Sequence, residues 1–147
     1  MIPYIENREG NVYEFEATMK QKRNYEKELQ RELQREMFST LSNEELKMLE
    51  EAQNGNNSFD ITPLTRKAMA NIDVASINER INLKYIKIML SNKYSLSETT
   101  LNELVEELYE DYGEEAINNR FAKILEVVFT QLGNNVNYKE LPAWGIE

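Results

Sequence analysis

Residues 96–132 combine two helical patterns with a dense negative charge, and this stretch constrains the fold more than any other. Between Lys93 and Arg120 lie eight acidic side chains and no basic one. Apolar residues nevertheless recur at the spacing of one helix face, once before Gly113 and again after it. The two faces are Leu101, Leu104, Val105, Leu108 and Tyr112, then Ile117, Phe121, Ile124, Leu125, Val128 and Leu132. The pattern predicts an acidic pair of amphipathic helices, with a left-handed cap at Gly113 and an end at Gly133.

The beginning of the chain has the pattern of a β-hairpin. Residues 2–5 and 12–17 are rich in β-branched and aromatic side chains, and the turn-forming residues 7–11 separate them. A two-stranded hairpin is marginally stable alone in water, so we expect it to dock on a helix or to find further strands.

Residues 18–41 contain no Gly or Pro and predict a long, highly charged helix. Its apolar residues recur every four positions, so that they form a narrow stripe winding slowly around the helix. The stripe consists of Tyr25, Leu29, Leu33, Met37 and Leu41. It is either a self-association seam, which would make the chain a homo-oligomer, or a face that leans on neighbouring helices.

Three further helices are predicted between this segment and the acidic pair. Capping boxes, Ser42 with Glu45 and Ser76 with Glu79, open the first and the third. The first helix is expected to run to about Gln53, the second over residues 62–71 and the third over residues 77–91. The third carries apolar residues on most sides, which places it at the centre of the core.

These elements predict a mostly α fold, a helical domain with a short N-terminal β-hairpin and an acidic C-terminal helical pair. With 147 residues the chain is long enough to bury a core of its own, and we expect one domain. Its predicted parts are the hairpin with charged helices (1–53), a linker (54–61), a helical core (62–133) and a tail (134–147).

Charge and composition exclude several classes of function. The net charge is −9, and the basic residues of segment 20–35 alternate with glutamates, so we expect no nucleic acid partner. No apolar run approaches the ~18 residues of a membrane span, and no signal peptide is visible. Without cysteine there is no disulfide framework. The expectation is a cytoplasmic protein without a membrane partner.

The residues for common enzyme chemistry are missing. The sequence has no histidine and no cysteine, which removes Ser-His-Asp and Cys-His arrangements and the usual zinc ligands. The five glycines do not form a phosphate-binding loop. We therefore expect no enzyme activity, no cofactor and no metal. The main enzymatic alternative is a metal-dependent hydrolase in which Glu106, Glu107, Glu110 and Asp111 bind Mg²⁺, although a hydrated acidic face accounts for the same residues.

The pattern of helix lengths and acidic turns resembles the tail assembly chaperones of long-tailed bacteriophages and prophages of Gram-positive bacteria. The resemblance covers residues 77–132 best, with an additional N-terminal segment. It is carried by the segments 10–15, 82–90, 94–97, 104–115 and 121–129. Such proteins are not enzymes, and they coat the helical tape measure protein until tail tube subunits assemble around it. The resemblance therefore implies the tape measure protein as a partner, the tail tube protein as a second one, and the host cytoplasm as the location.

A chaperone for long amphipathic helices needs an apolar groove with acidic rims that limit self-aggregation. We predict that its partner-binding residues are Leu104, Leu108, Tyr109, Phe121, Leu125 and Phe129. The aromatic residues Tyr109, Phe121 and Phe129, together with Tyr112, recur at helical spacing. The same spacing is typical of residues buried in a core. The alternative function is an acidic regulatory protein that masks a basic surface of its partner as a charge mimic.

Overall fold

The computed structural model describes residues 2–53, 55, 62–70 and 72–143. This part of the chain contains two strands and six helices, so the predicted mostly α fold with an N-terminal hairpin is confirmed. They are β1 (Tyr4–Glu6), β2 (Val12–Glu14), α1 (Met19–Ser39), α2 (Asn43–Gln53), α3 (Thr62–Ala70), α4 (Val74–Tyr94), α5 (Glu98–Tyr112) and α6 (Glu114–Ala143). Within these ranges, no helix combines the length and the apolar composition needed to cross a membrane. Apart from Gly55, the predicted linker 54–61 lies outside the described residues.

The chain forms two compact units. The first consists of Met1–Glu26 and Glu79–Glu147, and the second of Lys27–Asn78. Helices α1 and α4 each contribute residues to both units, whereas the hairpin, α5 and α6 belong to the first. That these units form a single domain stays a prediction.

The two strands pair in antiparallel fashion, with Ile5 opposite Tyr13 in the register. The strands are shorter than predicted at the ends away from the turn. There the backbone N–H of Phe15 still donates to the oxygen of Pro3 at 2.9 Å, but proline has no N–H with which to continue the ladder. In that turn the Asn7 side-chain oxygen accepts the backbone N–H groups of Glu9 (3.0 Å) and Asn11 (2.8 Å). Gly10 has a φ of 86°, a conformation that costs glycine little and other residues more.

The hairpin docks on the C-terminal end of α4, which supplies the support that a two-stranded sheet needs. The ring of Tyr13 meets that of Tyr94 edge to face at 5.3 Å between centroids. The Tyr94 hydroxyl oxygen accepts the outward backbone N–H of Glu14 at 2.7 Å. Below the strands, the side chain of Phe15 is 1% exposed. The predicted docking of the hairpin on a helix is confirmed.

Helix α4 is central to the core of the first unit, as predicted. Its buried residues cover much of its circumference: Ile81, Asn82, Tyr85, Ile86, Met89 and Leu90. The amide oxygen of Asn82 accepts a hydrogen bond from the hydroxyl of Tyr25 at 2.5 Å, which satisfies a polar side chain inside the core. Burial raises the pKa of Tyr25, so this hydroxyl keeps its proton. The Tyr25 ring packs against Tyr85 and Phe129 at 5.3 and 5.1 Å between centroids.

Three predicted helix boundaries are wrong. Helix α4 ends at Tyr94, three residues beyond the predicted end at residue 91. Helix α4 begins at Val74 because Asp73, not Ser76, acts as its N-cap, accepting the backbone N–H of Ser76 at 3.0 Å. The last helix passes through Gly133 and continues to Ala143. A glycine inside a helix costs only about 1 kcal/mol relative to alanine, and the next proline is Pro142, so the backbone bonds can continue.

Helix α5 has a cap at its start and ends at Gly113, the residue predicted to end it. Ser97 caps α5 by accepting the backbone N–H of Thr100 at 3.2 Å. Gly113 ends α5 with a φ of 91° and a ψ of 145°. That conformation has the expected positive φ but differs in ψ from the predicted left-handed cap, and it is almost restricted to glycine. Glu114 and Glu115 lie in the first turn of α6, where the helix dipole favours them.

In the second unit, the capping box of α2 is formed as predicted. The Ser42 hydroxyl oxygen accepts the N–H of Glu45 at 3.2 Å, and Glu45 accepts the N–H of Ser42 at 2.9 Å. Lys67 of α3 adds an ion pair to Glu45 at 3.0 Å. The bonds from Ser42 and Lys67 lower the pKa of Glu45. These contacts join α2 to α3 and fix the direction in which the chain leaves the turn.

Candidate protein-interaction site

The acidic pair is tied to the hairpin by one arginine at the tip of the turn. The Arg8 Nε donates to both carboxylate oxygens of Asp111, at 2.8 and 3.1 Å, and its Nη2 donates to Asp111 at 2.7 Å. The same Nη2 reaches Glu110 at 3.0 Å, and the backbone N–H of Arg8 donates to Glu107 at 2.8 Å. Glu107 also forms an ion pair with the Arg8 Nε at 3.6 Å, so three carboxylates of α5 converge on this one arginine.

This cluster changes the ionisation of its members without burying them. Hydrogen bonding to Arg8 lowers the pKa of Asp111, and the bonds to Asp111 and Glu110 raise the pKa of Arg8. The Arg8 side chain is still 51% exposed. Water and salt screen such pairs, so the contact orients the hairpin more than it stabilises the fold.

The cluster also bears on the metal-site alternative. Of the four acidic residues considered for Mg²⁺, three are bound to Arg8. Across the described residues, no group of three or more acidic, histidine or cysteine side chains is arranged to hold a metal ion. The arrangement fits an internal ion-pair network.

Next to this cluster, a cleft of about 340 Å³ opens between β1 and the junction of α5 and α6. The residues that line it are Tyr4, Ile5, Glu6, Leu108, Tyr112, Ala116, Ile117 and Arg120. Ile5, Leu108 and Ile117 are buried and form an apolar floor. Tyr4 and Tyr112 stand at the cleft with 47% and 64% of their surface exposed. Two exposed tyrosines beside an apolar floor are typical of a site that anchors another protein.

Arg120 holds one wall of the cleft in place. Its Nη2 donates to the backbone oxygen of Tyr4 at 2.9 Å, which occupies an outward-facing carbonyl of β1. Its guanidinium carbon lies 6.0 Å from the centre of the Tyr4 ring, within the range of a cation–π contact. The Tyr4 side chain is thus positioned before any partner arrives.

Five of the six predicted partner-binding residues lie in the core. The exposed fractions are 5% for Leu104, 3% for Leu108, 1% for Phe121, 2% for Leu125 and 9% for Phe129. These five side chains fill the interior of the first unit, because each lies on the inward face of α5 or α6. Leu108 also forms part of the floor of the cleft. A partner would reach the other four only if the helices separated. Their role in partner binding stays a prediction.

Tyr109 is the exception among the six, being half-buried. Its hydroxyl donates to the amide oxygen of Asn118 at 2.8 Å across the α5–α6 junction. Burial, and then the negative charges of Glu114 and Glu79, raise the pKa of Tyr109. Its hydroxyl therefore serves to join the two helices.

Sequence reasoning missed Tyr4, Arg8 and Arg120, and it assigned Tyr112 to an apolar face. Tyr112 is the last residue of α5 and follows Leu108 at the spacing of that face, but the chain turns away at Gly113 and leaves it exposed. A usable signal existed for Arg8, which is the one basic residue among residues 1–17. This single basic side chain can pair with a carboxylate of the acidic stretch between Lys93 and Arg120.

Comparison with protein-family models, curated proteins and solved structures found no match to this chain. The resemblance to tail assembly chaperones therefore stays a prediction from helix lengths and acidic turns.

Proposed function

We propose that this chain is a non-enzymatic protein-binding module that holds an amphipathic segment of its partner at the cleft beside Tyr4 and Tyr112. The observation that carries the proposal is the exposure of these two tyrosines over a buried apolar floor. Exposed aromatic side chains contribute strongly to interfaces because they bury a large area and lose little conformational entropy.

The size of the cleft fits the side chains of a protein better than a whole small molecule. Its volume of about 340 Å³ is near the lower limit of pockets that enclose drug-sized ligands, which is about 300 Å³. The floor takes an apolar side chain, while Glu6 and Arg120 lie at its polar edge. One face of an amphipathic helix presents this combination at i, i+3 and i+4.

The specific role that we propose is that of a phage tail assembly chaperone in the host cytoplasm. Its partner is the helical tape measure protein, with the tail tube protein as a second partner. A long helical protein offers the same apolar stripe many times, so one small cleft per chaperone copy suffices to cover it. The family resemblance of residues 77–132 supports this role.

Co-expression with a tape measure protein from the same genome tests the proposal. We expect the chain to keep the tape measure protein in the soluble fraction and to co-purify with it. The double variant Tyr4→Ala/Tyr112→Ala should lose co-purification while keeping its circular dichroism spectrum. The matched control is Met69→Ala/Val74→Ala, which truncates two other exposed apolar side chains, 49% and 38% exposed.

Ionic strength distinguishes this proposal from the charge-mimic alternative. An apolar cleft keeps its partner at about 0.5 M salt, whereas a charge mimic loses it because screening weakens exposed charge contacts. Retention of the tape measure protein by the tyrosine double variant, or its release by salt alone, would count against the cleft.

A further inference from the structure

A second groove, between α4 and α5 in the first unit, has a charge opposite to that of the whole chain. Its volume is about 450 Å³. It is lined by Arg80, Leu83, Lys84, Lys87, Ile88, Ser91, Glu98 and Leu101. Three cations and a single carboxylate thus surround this groove in a chain with a net charge of −9.

The cations follow the helix periodicity of α4. Arg80, Lys84 and Lys87 have the spacing i, i+4 and i+7, which places them along one face over two turns. Lys87 is held at the α5 side of the groove, since its Nζ donates to the amide oxygen of Asn102 at 2.7 Å. Arg80 and Lys84 also interact with neighbours inside the protein. The row of positive charge is therefore built into the fold.

Apolar side chains lie beside this row. Leu83 and Ile88 are half-buried on α4, and Leu101 of α5 is 5% exposed. Ile88 belongs to the helix that the sequence places at the centre of the core, but its side chain lines the groove. A groove with an apolar base and a row of cations complements a helix with an apolar face and a row of carboxylates.

We infer that this groove binds an acidic amphipathic helix of a partner protein. The apolar residues of that helix contact Leu83, Ile88 and Leu101, and its carboxylates lie against Arg80, Lys84 and Lys87. A membrane surface fits less well because the net charge of −9 repels anionic lipids. The inference does not depend on the tyrosine cleft, since the two sites share no lining residue.

The probe is a fluorescein-labelled helical peptide of about 18 residues, five turns long, with leucines on one face and glutamates beside them. Its control has the same composition with the leucine stripe scrambled. Fluorescence anisotropy measures the binding of both peptides to the full chain at low salt. We expect the amphipathic peptide to bind more tightly than the scrambled one, because only the first presents its apolar and acidic residues together.

The variant Lys84→Glu/Lys87→Glu should weaken binding of the amphipathic peptide about tenfold or more, since each reversal replaces an attraction by a repulsion. The control Lys20→Glu/Lys123→Glu makes the same change in net charge away from the groove and should keep the wild-type affinity. The neutral variant Lys84→Gln/Lys87→Gln should give an intermediate loss. It also serves as the test if the charge reversal unfolds the protein in circular dichroism.

Four outcomes would overturn the inference. The first is equal affinity for the amphipathic and the scrambled peptide, and the second is an equal loss in the groove variant and its charge control. The third is self-association of the wild type, measured by sedimentation, that the groove variant abolishes, because the occupant would then be a second copy. The fourth is binding to anionic lipid vesicles that depends on Lys84 and Lys87.

The tyrosine double variant separates this site from the proposed function. It should bind the acidic peptide like the wild type even where it has lost the tape measure protein.

Discussion

Arg8 and Asp111 form a bidentate ion pair that links the hairpin turn to the last turn of α5. The guanidinium Nε and Nη2 reach the two carboxylate oxygens at 2.8 and 2.7 Å. Because Glu107 and Glu110 join the same arginine, part of the acidic run that dominates the sequence serves an internal contact. The negative surface left for a partner is correspondingly smaller than the sequence implies.

The variant Arg8→Gln should lower the melting temperature slightly at neutral pH. Asp111 has a lowered pKa in the folded state, so its ion pair contributes stability above the ordinary aspartate value of 3.8. That contribution is lost as the pH falls through the lower, folded-state pKa. The effect is small because the Arg8 side chain is half-exposed. Thermal unfolding followed by circular dichroism at pH 7 and at progressively lower pH measures it.

For the Arg8 variant the diagnostic result is the pH dependence. The difference from the wild type should shrink below pH 3.8. The control Lys123→Gln, which breaks an exposed pair with Glu126, should show a smaller difference at pH 7. A difference that stays constant down to the most acidic pH would rule out an electrostatic origin.

Phe121→Ala should lower the free energy of unfolding by about 3–5 kcal/mol, the cost of a large cavity in a packed core. The Phe121 side chain is 1% exposed. Urea unfolding measures the change, and Met69→Ala on the surface should stay within about 0.5 kcal/mol of the wild type. A Phe121→Ala chain as stable as the wild type would contradict the assignment of this residue to the core.

Tyr25→Phe should lower the free energy of unfolding by about 1–3 kcal/mol, because the amide oxygen of buried Asn82 loses its donor. The exposed Tyr112 offers the matched control, and Tyr112→Phe should change stability by less than about 0.5 kcal/mol. Chemical unfolding of both variants gives the comparison. Equal stability of the two variants would show that Asn82 does not need the tyrosine hydroxyl.

Ser95→Gly should raise the melting temperature. Ser95 follows α4 with a φ of 55°, and the left-handed conformation costs a non-glycine residue about 1–2 kcal/mol. Glycine removes most of that cost but loses more chain entropy on folding, so we expect a net gain below about 1 kcal/mol. Ser91→Gly inside α4 is the control and should lower the melting temperature, since glycine weakens a helix interior. A decrease in both variants would argue against strain at Ser95.

Local patterns in the sequence predicted the helices and most of their ends. Hydrogen bonds between residues three positions apart, as at Ser42 with Glu45 and Ser97 with Thr100, are visible in the sequence because their partners are neighbours. The error at α4 arose because the sequence analysis considered Ser76 alone, although Asp73 is an equally good N-cap residue three positions earlier. Which of two nearby residues acts as the N-cap depends on the direction from which the preceding chain enters the helix.

The candidate sites depend on contacts between distant residues, which periodicity does not encode. Amphipathic spacing correctly placed Phe121 and Leu125 on one face but did not distinguish a core from a groove, since both are apolar. Tyr112 became exposed through the turn at Gly113, and Tyr4 through the docking of β1 on Arg120. Each of these outcomes requires knowing which elements pack together.

The ion pair between Arg8 and Asp111 also sets an order of events during synthesis. Its residues are 103 positions apart, so the strand pair leaves the ribosome well before its anchor on α5 exists. At a synthesis rate of roughly 5–20 residues per second, the delay between the synthesis of Arg8 and that of Asp111 is roughly 5–20 s. The second unit, Lys27–Asn78, is continuous in sequence and can fold during that interval. The first unit cannot complete its fold until its C-terminal helices have been synthesised. The nascent hairpin therefore leaves the ribosome with the apolar side chain of Ile5 uncovered, and it stays so until Leu108 and Ile117 are synthesised.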